Sequence, residues 1–208
     1  MKNITLFVLM AISLVSCVKQ PDIDELDAKF YVLTNYDSEA DFSEYTSVYV
    51  VDSIAIISGN NNDPDRVDDD YATAVLQELN NQLSLAGYAL TTNKDEADLV
   101  MTSALIKSTY VGYYPGYWWG YPGYWDPGYW GYPGYDYYYP SYGYYYTYDS
   151  GTLIFELLDL KNTDDVNMTI PVPWSVSMGD VFYVFNPQNE AVEGIQQAFD
   201  QSPYINKN

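Results

Sequence analysis

Histidine is absent from this chain and cysteine occurs once. Ser-His-Asp and Cys-His relays, internal disulfides and His/Cys zinc sites are therefore excluded. Positive charge is scarce: 8 Lys plus Arg face 29 Asp plus Glu, a formal net charge of −21. Such a field opposes any phosphate backbone, which excludes nucleic acid as a partner. A long hydrophobic run is missing as well. The most apolar stretch, Ile4 to Val15, spans about a dozen residues, short of the roughly 20 that cross a bilayer. What remains is a chain of 208 residues, 48% hydrophobic and 18% aromatic, long enough for one domain with a real core.

That apolar stretch follows Met1-Lys2-Asn3 and runs into Ser16-Cys17, the layout of an export signal. Leu14-Val15-Ser16-Cys17 resembles a bacterial lipobox, in which cleavage before the cysteine follows transfer of a diacylglyceryl group to its thiol. On this reading residues 1–16 are a lipoprotein signal peptide and Cys17 is the lipidation site. The alternative is an ordinary secretory signal that contains a cysteine. Two or three acyl chains, palmitate among them, satisfy the two-signal requirement for stable anchoring, and no other cofactor is expected. Cleavage removes one lysine and takes the formal charge from −21 to −22. Val18 stands where an Asp would retain a lipoprotein in the inner membrane, so the outer membrane is expected, on either its periplasmic or its cell-surface face. Residues 17–37 read as an acidic tether, and the first of them resemble the acidic surface-export signals of Bacteroidetes lipoproteins.

Beyond the tether, Phe42 to Asp52 reads as a core strand centred on Val48, Tyr49, Val50 and Val51. Ala72, Val75, Leu76, Leu79, Leu83 and Ala86 then recur at helical spacing over Tyr71 to Ala86. Asp68, Asp69 and Asp70 sit at the positive end of that helix, and Gly87 follows it as a left-handed cap would. A short strand at Tyr88 to Thr92 is an option. Leu99 to Thr109, Gly151 to Leu160 and Met168 to Met178 read as strands, the last placed at a sheet edge by Pro171 and Pro173. Asn186-Pro187 caps a second helix over Gln188 to Asp200. The order β-α-β-β-β-α predicts a single α+β domain over 38–205, with both helices on one face of a mostly antiparallel sheet.

Ala40-Asp-Phe-Ser-Glu-Tyr45, Leu85-Ala-Gly-Tyr88, Glu96-Ala-Asp-Leu-Val100 and Gly151-Thr-Leu-Ile-Phe-Glu-Leu-Leu-Asp159 occur here in order. Together they resemble the family called domain of unknown function 4136, over roughly residues 38 to 205. Where members close the first strand with Trp this chain has Val50-Val51-Asp52, while Trp174 matches the usual late Trp. The resemblance implies a fold and a bacterial, often Bacteroidetes, lipoprotein; it carries no catalytic or ligand residues.

Between two of the strands lies an aromatic insert, 110–148, whose 39 residues include 17 Tyr, 4 Trp, 8 Gly and 5 Pro. Pro-Gly-Tyr recurs at 115, 122, 127 and 133 without a fixed period, so it reads as a hairpin loop built on tight turns. Three roles compete for it. The rings pack on one another and on an open sheet face. Alternatively they form an interaction surface for an envelope protein or a glycan, with Trp118, Trp119, Trp125 and Trp130 as ligand contacts. In the third they sit at the headgroup level of a membrane. Radical or iron chemistry of the clustered phenols has little beside it, since Asp126 and Asp136 are the insert's only carboxylates.

The loop before the first helix collects Asp63, Asp65 and Asp68, oxygen ligands of the kind Ca²⁺ takes. Pro64 and Arg66 interrupt the EF-hand spacing, and a solvated helix start explains the run as well; no metal is expected. Asp52-Ser53-Ile54 resembles a short O-glycosylation acceptor, with Ser53 as its site. The expectation is a non-catalytic binding or structural component of the envelope, held to the membrane by its lipid. Its rival is a carboxylate-based glycan-active enzyme using Asp159, Asp164 or Asp165, with the aromatic loop as substrate platform.

Overall fold

In the computed structural model the described residues are 30–58, 65–107, 124–140, 151–179 and 186–207. Two helices cover one face of an eight-stranded mixed, mainly antiparallel sheet. The strands are β1 (Tyr31–Tyr36), β2 (Ser47–Val50), β3 (Ile54–Ile57), β4 (Arg66–Val67), β5 (Ala89–Leu90), β6 (Leu99–Ile106), β8 (Thr152–Asp159) and β10 (Trp174–Gly179). The helices are α1 (Asp70–Leu85) and α2 (Pro187–Asp200). A separate two-stranded sheet pairs β7 (Asp136–Tyr138) with β9 (Thr169–Pro171).

The main sheet runs β1-β10-β8-β6-β2-β5, with β3 continuing beside β6 where β2 stops. β6 and β8 are its spine: every residue of both is buried, and they pair from Leu99↔Asp159 to Ile106↔Thr152. Alternation splits them into two faces. Met101, Leu105, Phe155 and Leu157 lie on one, continued by Val176 and Trp174 of β10. This face receives the helices, and the Trp174 ring meets Phe199 of α2 edge-on at 5.2 Å. Thr102, Ala104, Ile154 and Glu156 lie on the other.

Local chemistry explains the helices. Asp69 accepts from the Ala72 amide at 2.9 Å and caps α1. Gly87, at φ +98°, ends it in a full Schellman motif: its amide donates to the Ser84 carbonyl and that of Tyr88 to the Leu83 carbonyl. Asn186 caps α2 and Pro187 opens it. Because β2 and β6 are parallel neighbours, α1 serves as the crossover between them.

The structure differs from expectation in several places, among them the unpredicted strands β4, β7 and β3, the last with all four of its residues buried beside β6. Tyr31–Tyr36, inside the segment read as acidic tether, is the first strand; its run Tyr-Val-Leu-Thr-Asn-Tyr is uncharged and β-favouring although acidic residues precede it. The stretch Met168 to Met178 is two strands in different sheets, divided at Val172-Pro173. Nor is β10 an edge: it sits between β1 and β8, because its prolines fall in or before the break and leave its own amides free to pair. Finally, Phe42–Glu44 forms a 3₁₀ turn capped by Asp41, which shortens the predicted first strand to β2.

On the helix face Ser103 is buried and its hydroxyl has no hydrogen-bond partner. Ser103→Ala is therefore expected to raise stability by about 1 kcal/mol in urea unfolding, since it removes an unsatisfied buried polar atom with almost no change in volume. Unchanged or lower stability would show that the hydroxyl is satisfied.

Candidate functional site

The open face of β6 and β8 holds a carboxylate. Glu156 is 2% exposed, beside Thr102 on β6 and Ser175 on β10. It is covered by residues 124–140, the middle of the aromatic insert, which cross this face as an arch. The Tyr124 hydroxyl donates to Glu156 Oε2 and that of Tyr139 to Oε1 at 2.9 Å. Thr102 Oγ1 lies 3.2 Å from the Tyr124 hydroxyl and 3.3 Å from the Glu156 carbonyl oxygen. Burial, then the negative charge of Glu156, raise the Tyr124 and Tyr139 hydroxyls well above the usual phenol range.

The arch is shaped by its own turns. Asp126 caps a 3₁₀ turn at Pro127–Trp130 that ends on left-handed Gly131. Trp130 Nε1 donates to the Tyr137 hydroxyl at 2.8 Å, which donates in turn to the Trp125 carbonyl at 2.6 Å. The Tyr132 hydroxyl reaches the Leu160 carbonyl at 3.1 Å, and β7 holds the far end of the arch against β9. Trp125 is 1% and Trp130 4% exposed; the first lies under the Arg66 guanidinium at 4.5 Å, and the second meets Tyr49 edge-on.

Two of the four tryptophans expected to contact a ligand are thus core residues. Trp125 and Trp130 are buried in covering the sheet's second face, over which no helix lies among the described residues. Trp118 and Trp119 lie outside the described residues, as do Cys17 and Asp63. Asp65 and Asp68 are exposed. Ser53 is 7% exposed and its hydroxyl donates to Asp52 at 3.1 Å, so attaching a glycan there requires the turn between β2 and β3 to open.

Of the carboxylates named for an enzyme, Asp159 is the buried last residue of β8, and Asp164 and Asp165 lie in the loop after it. Asp159 accepts from the Lys161 and Asn162 amides and from the Tyr45 hydroxyl at 2.7 Å. Asp164 accepts from the Val166 and Asn167 amides, and the Asn167 bonds hold its carboxyl below the usual carboxylate range. Asp165 accepts from the Tyr135 hydroxyl at 2.9 Å, tying its turn to the arch. Sequence reasoning missed Glu156. Its one signal is a charged residue inside the apolar run Gly151 to Leu160.

The family model for domain of unknown function 4136 matches residues 32–204. The chain belongs to that family. The member's fold is similar to the crystal structure of a DUF4136 family protein from Bacteroides thetaiotaomicron VPI-5482, at 32% identity and a TM-score of 0.73 over 88% of this chain and 100% of that one. Weaker likenesses reach a PelC dodecamer from Paraburkholderia phytofirmans, at 14% identity and TM-score 0.41 over 86% of this chain and 99% of that one. A PDZ domain protein from Parabacteroides distasonis also stands at 14% and 0.41, over 85% of this chain and 36% of that one. No curated protein matches.

Two expectations follow. Trp125→Ala should cost about 3–5 kcal/mol and Glu156→Ala about 2–4 kcal/mol in denaturant unfolding, the second because two phenols lose their acceptor. A loss under 1 kcal/mol for both would mean that the arch is not part of the cooperative fold. The raised Tyr124, Tyr137 and Tyr139 hydroxyls stay protonated in the folded state at a pH where the unfolded chain ionises. The stability they contribute is full below about pH 10 and falls as pH rises beyond it, so alkaline unfolding should accompany a cooperative rise in tyrosinate absorbance. Non-cooperative phenol titration with the fold intact would contradict this.

Proposed function

We propose that this DUF4136 member is a lipid-anchored lipoprotein of the outer membrane, acylated at Cys17, and a non-catalytic binding or structural component of the envelope. The lipobox-like Leu14-Val15-Ser16-Cys17 supports the anchor, and the strand order says what such an anchor would hold near the membrane. The chain enters the sheet at Tyr31, which pairs with Gly179; Met178 pairs with Leu153, and Leu153 with Leu105. The entry point from Cys17 and the two roots of the aromatic insert, after Ile106 and before Thr152, therefore lie at one end of the sheet. A tether at Cys17 brings the insert's roots toward the membrane that holds it.

Within the insert the arch serves as cover, which leaves Trp118 and Trp119 as the proposed contacts for an envelope protein or a glycan. A glycan-active enzyme is less well supported, since each of the three carboxylates already accepts structural bonds: Asp159 and Asp164 from amides of the turns that follow them, and Asp165 from the Tyr135 hydroxyl of the arch. Divalent cations outside the cell would screen the acidic surface without a dedicated site.

Metabolic labelling with a palmitate analogue, followed by membrane fractionation, tests the anchor. Labelled wild-type chain in the outer membrane and unlabelled Cys17→Ser are expected; label on both, or on neither, overturns it. Pull-down from envelope extract tests the contacts. Trp118→Ala with Trp119→Ala should abolish capture of a glycan or protein without loss of unfolding free energy, and undiminished capture would remove these residues from the proposal.

A further inference from the structure

β1 ends the main sheet, and among the described residues no strand lies on its outer side. The Asp37 amide donates to the Pro173 carbonyl at 2.8 Å, in register with the β1–β10 ladder. In an antiparallel ladder this alternation turns the odd-numbered residues toward β10 and the backbone groups of Val32, Thr34 and Tyr36 outward. The outer edge is thus three N–H and three C=O groups along an unbroken six-residue strand. Exposed edges are ordinarily blunted by charge, Pro or a bulge. Here Tyr-Val-Leu-Thr-Asn-Tyr carries none of these, in a chain of net charge −21.

The geometry points to self-association: β1 pairs antiparallel with β1 of a second copy, across a two-fold axis at Thr34, and joins two sheets into one. This register alone engages all three outward residues of both chains. Thr34 faces Thr34, and Val32 faces Tyr36 of the second copy, three hydrogen-bonded pairs that exchange two bonds each. The side-chain pairs are a Thr–Thr match, favourable across strands, and two in which Tyr36 falls beside Val32; Val32 is only 7% exposed, so the area those two bury comes from Tyr36. Tyr36 has ring area to bury, being stacked on Tyr204 at 3.7 Å on one side while 42% exposed. Electrostatics also select the register: Asp37, at the strand's exit, falls opposite Tyr31 and not opposite another Asp37. β5, the other end of the sheet path, has two residues, too few for a stable ladder with β1. The strand edge alone buries less than the roughly 800 Å² per partner of a standard interface, so pairing is expected to be weak in dilute solution and to grow with concentration.

The test uses the full chain in detergent. Paired Thr34 Cα atoms would stand about 5.5 Å apart, within disulfide reach, whereas Asn35 would face Leu33 and lie diagonal to its own counterpart. Mild oxidation of Thr34→Cys should give a reducible species of twice the chain mass that wild type and Asn35→Cys do not give. Thr34→Pro removes an amide hydrogen that β10 does not use, so it should keep the wild-type circular dichroism and lower the dimer fraction in sedimentation on the order of tenfold. Absence of the Thr34-dependent species overturns the inference. So does an adduct of any other mass, which would put a different protein on the edge, or a folded Thr34→Pro that dimerises like wild type. Should Thr34→Pro fail to fold, the two cysteine variants decide alone.

Discussion

A carboxylate set in the middle of a sheet face must either meet water or be covered by groups that donate to it, because burying it without donors costs several kcal/mol. Glu156 poses that demand at the centre of β8, and the arch answers it with two phenols. The same demand explains why Tyr and not Phe stands at positions 124 and 139: phenylalanine would cover the face equally well but bring no donor to the carboxylate. Trp130, Tyr137 and the Trp125 carbonyl form a second chain of donors and acceptors, so the arch buries rings without orphaning their polar atoms.

The scarce cations obey a related constraint. Arg66 lies over Trp125, Lys94 over Tyr129 and Lys207 over Tyr88, while Lys161 donates to the Glu44 carbonyl. In a chain with 29 carboxylates, several of its 8 cations thus pack against rings and backbone, where they help fix the arch and the chain's C-terminal end. The surface is left strongly acidic, which favours solubility and sets neutral stretches such as β1 apart as places where two chains can approach.

Legibility followed the range of the interactions involved. Both helices were readable because their determinants are local: the spacing of Val75, Leu76, Leu79 and Leu83, the Asp69 cap and the glycine at position 87. β8 and β6 were readable as apolar, β-branched runs. β1 was hidden by the acidic residues before it, since composition averaged over a window masks a six-residue strand. The division between β9 and β10 was hidden because prolines mark a strand's weakness without saying whether it becomes an edge or a break. Trp125 and Trp130 looked like binding residues for the reason that Trp is favoured at both interfaces and cores.

What the sequence determined alone is what neighbours along the chain decide: the exclusion of histidine and disulfide chemistry, the helix limits, the strand-forming runs, and an insert that must fold by turns and rings. The family resemblance, too, was carried by short motifs in order. The tertiary structure decided what depends on residues far apart. Glu156 meets Tyr124 and Tyr139 only because β8 lies at the centre of the sheet, and that central place is set by pairing with β6 and β10. Whether an aromatic ring is surface or core, and whether a strand is edge or interior, is settled by what packs against it; no window of sequence contains that partner.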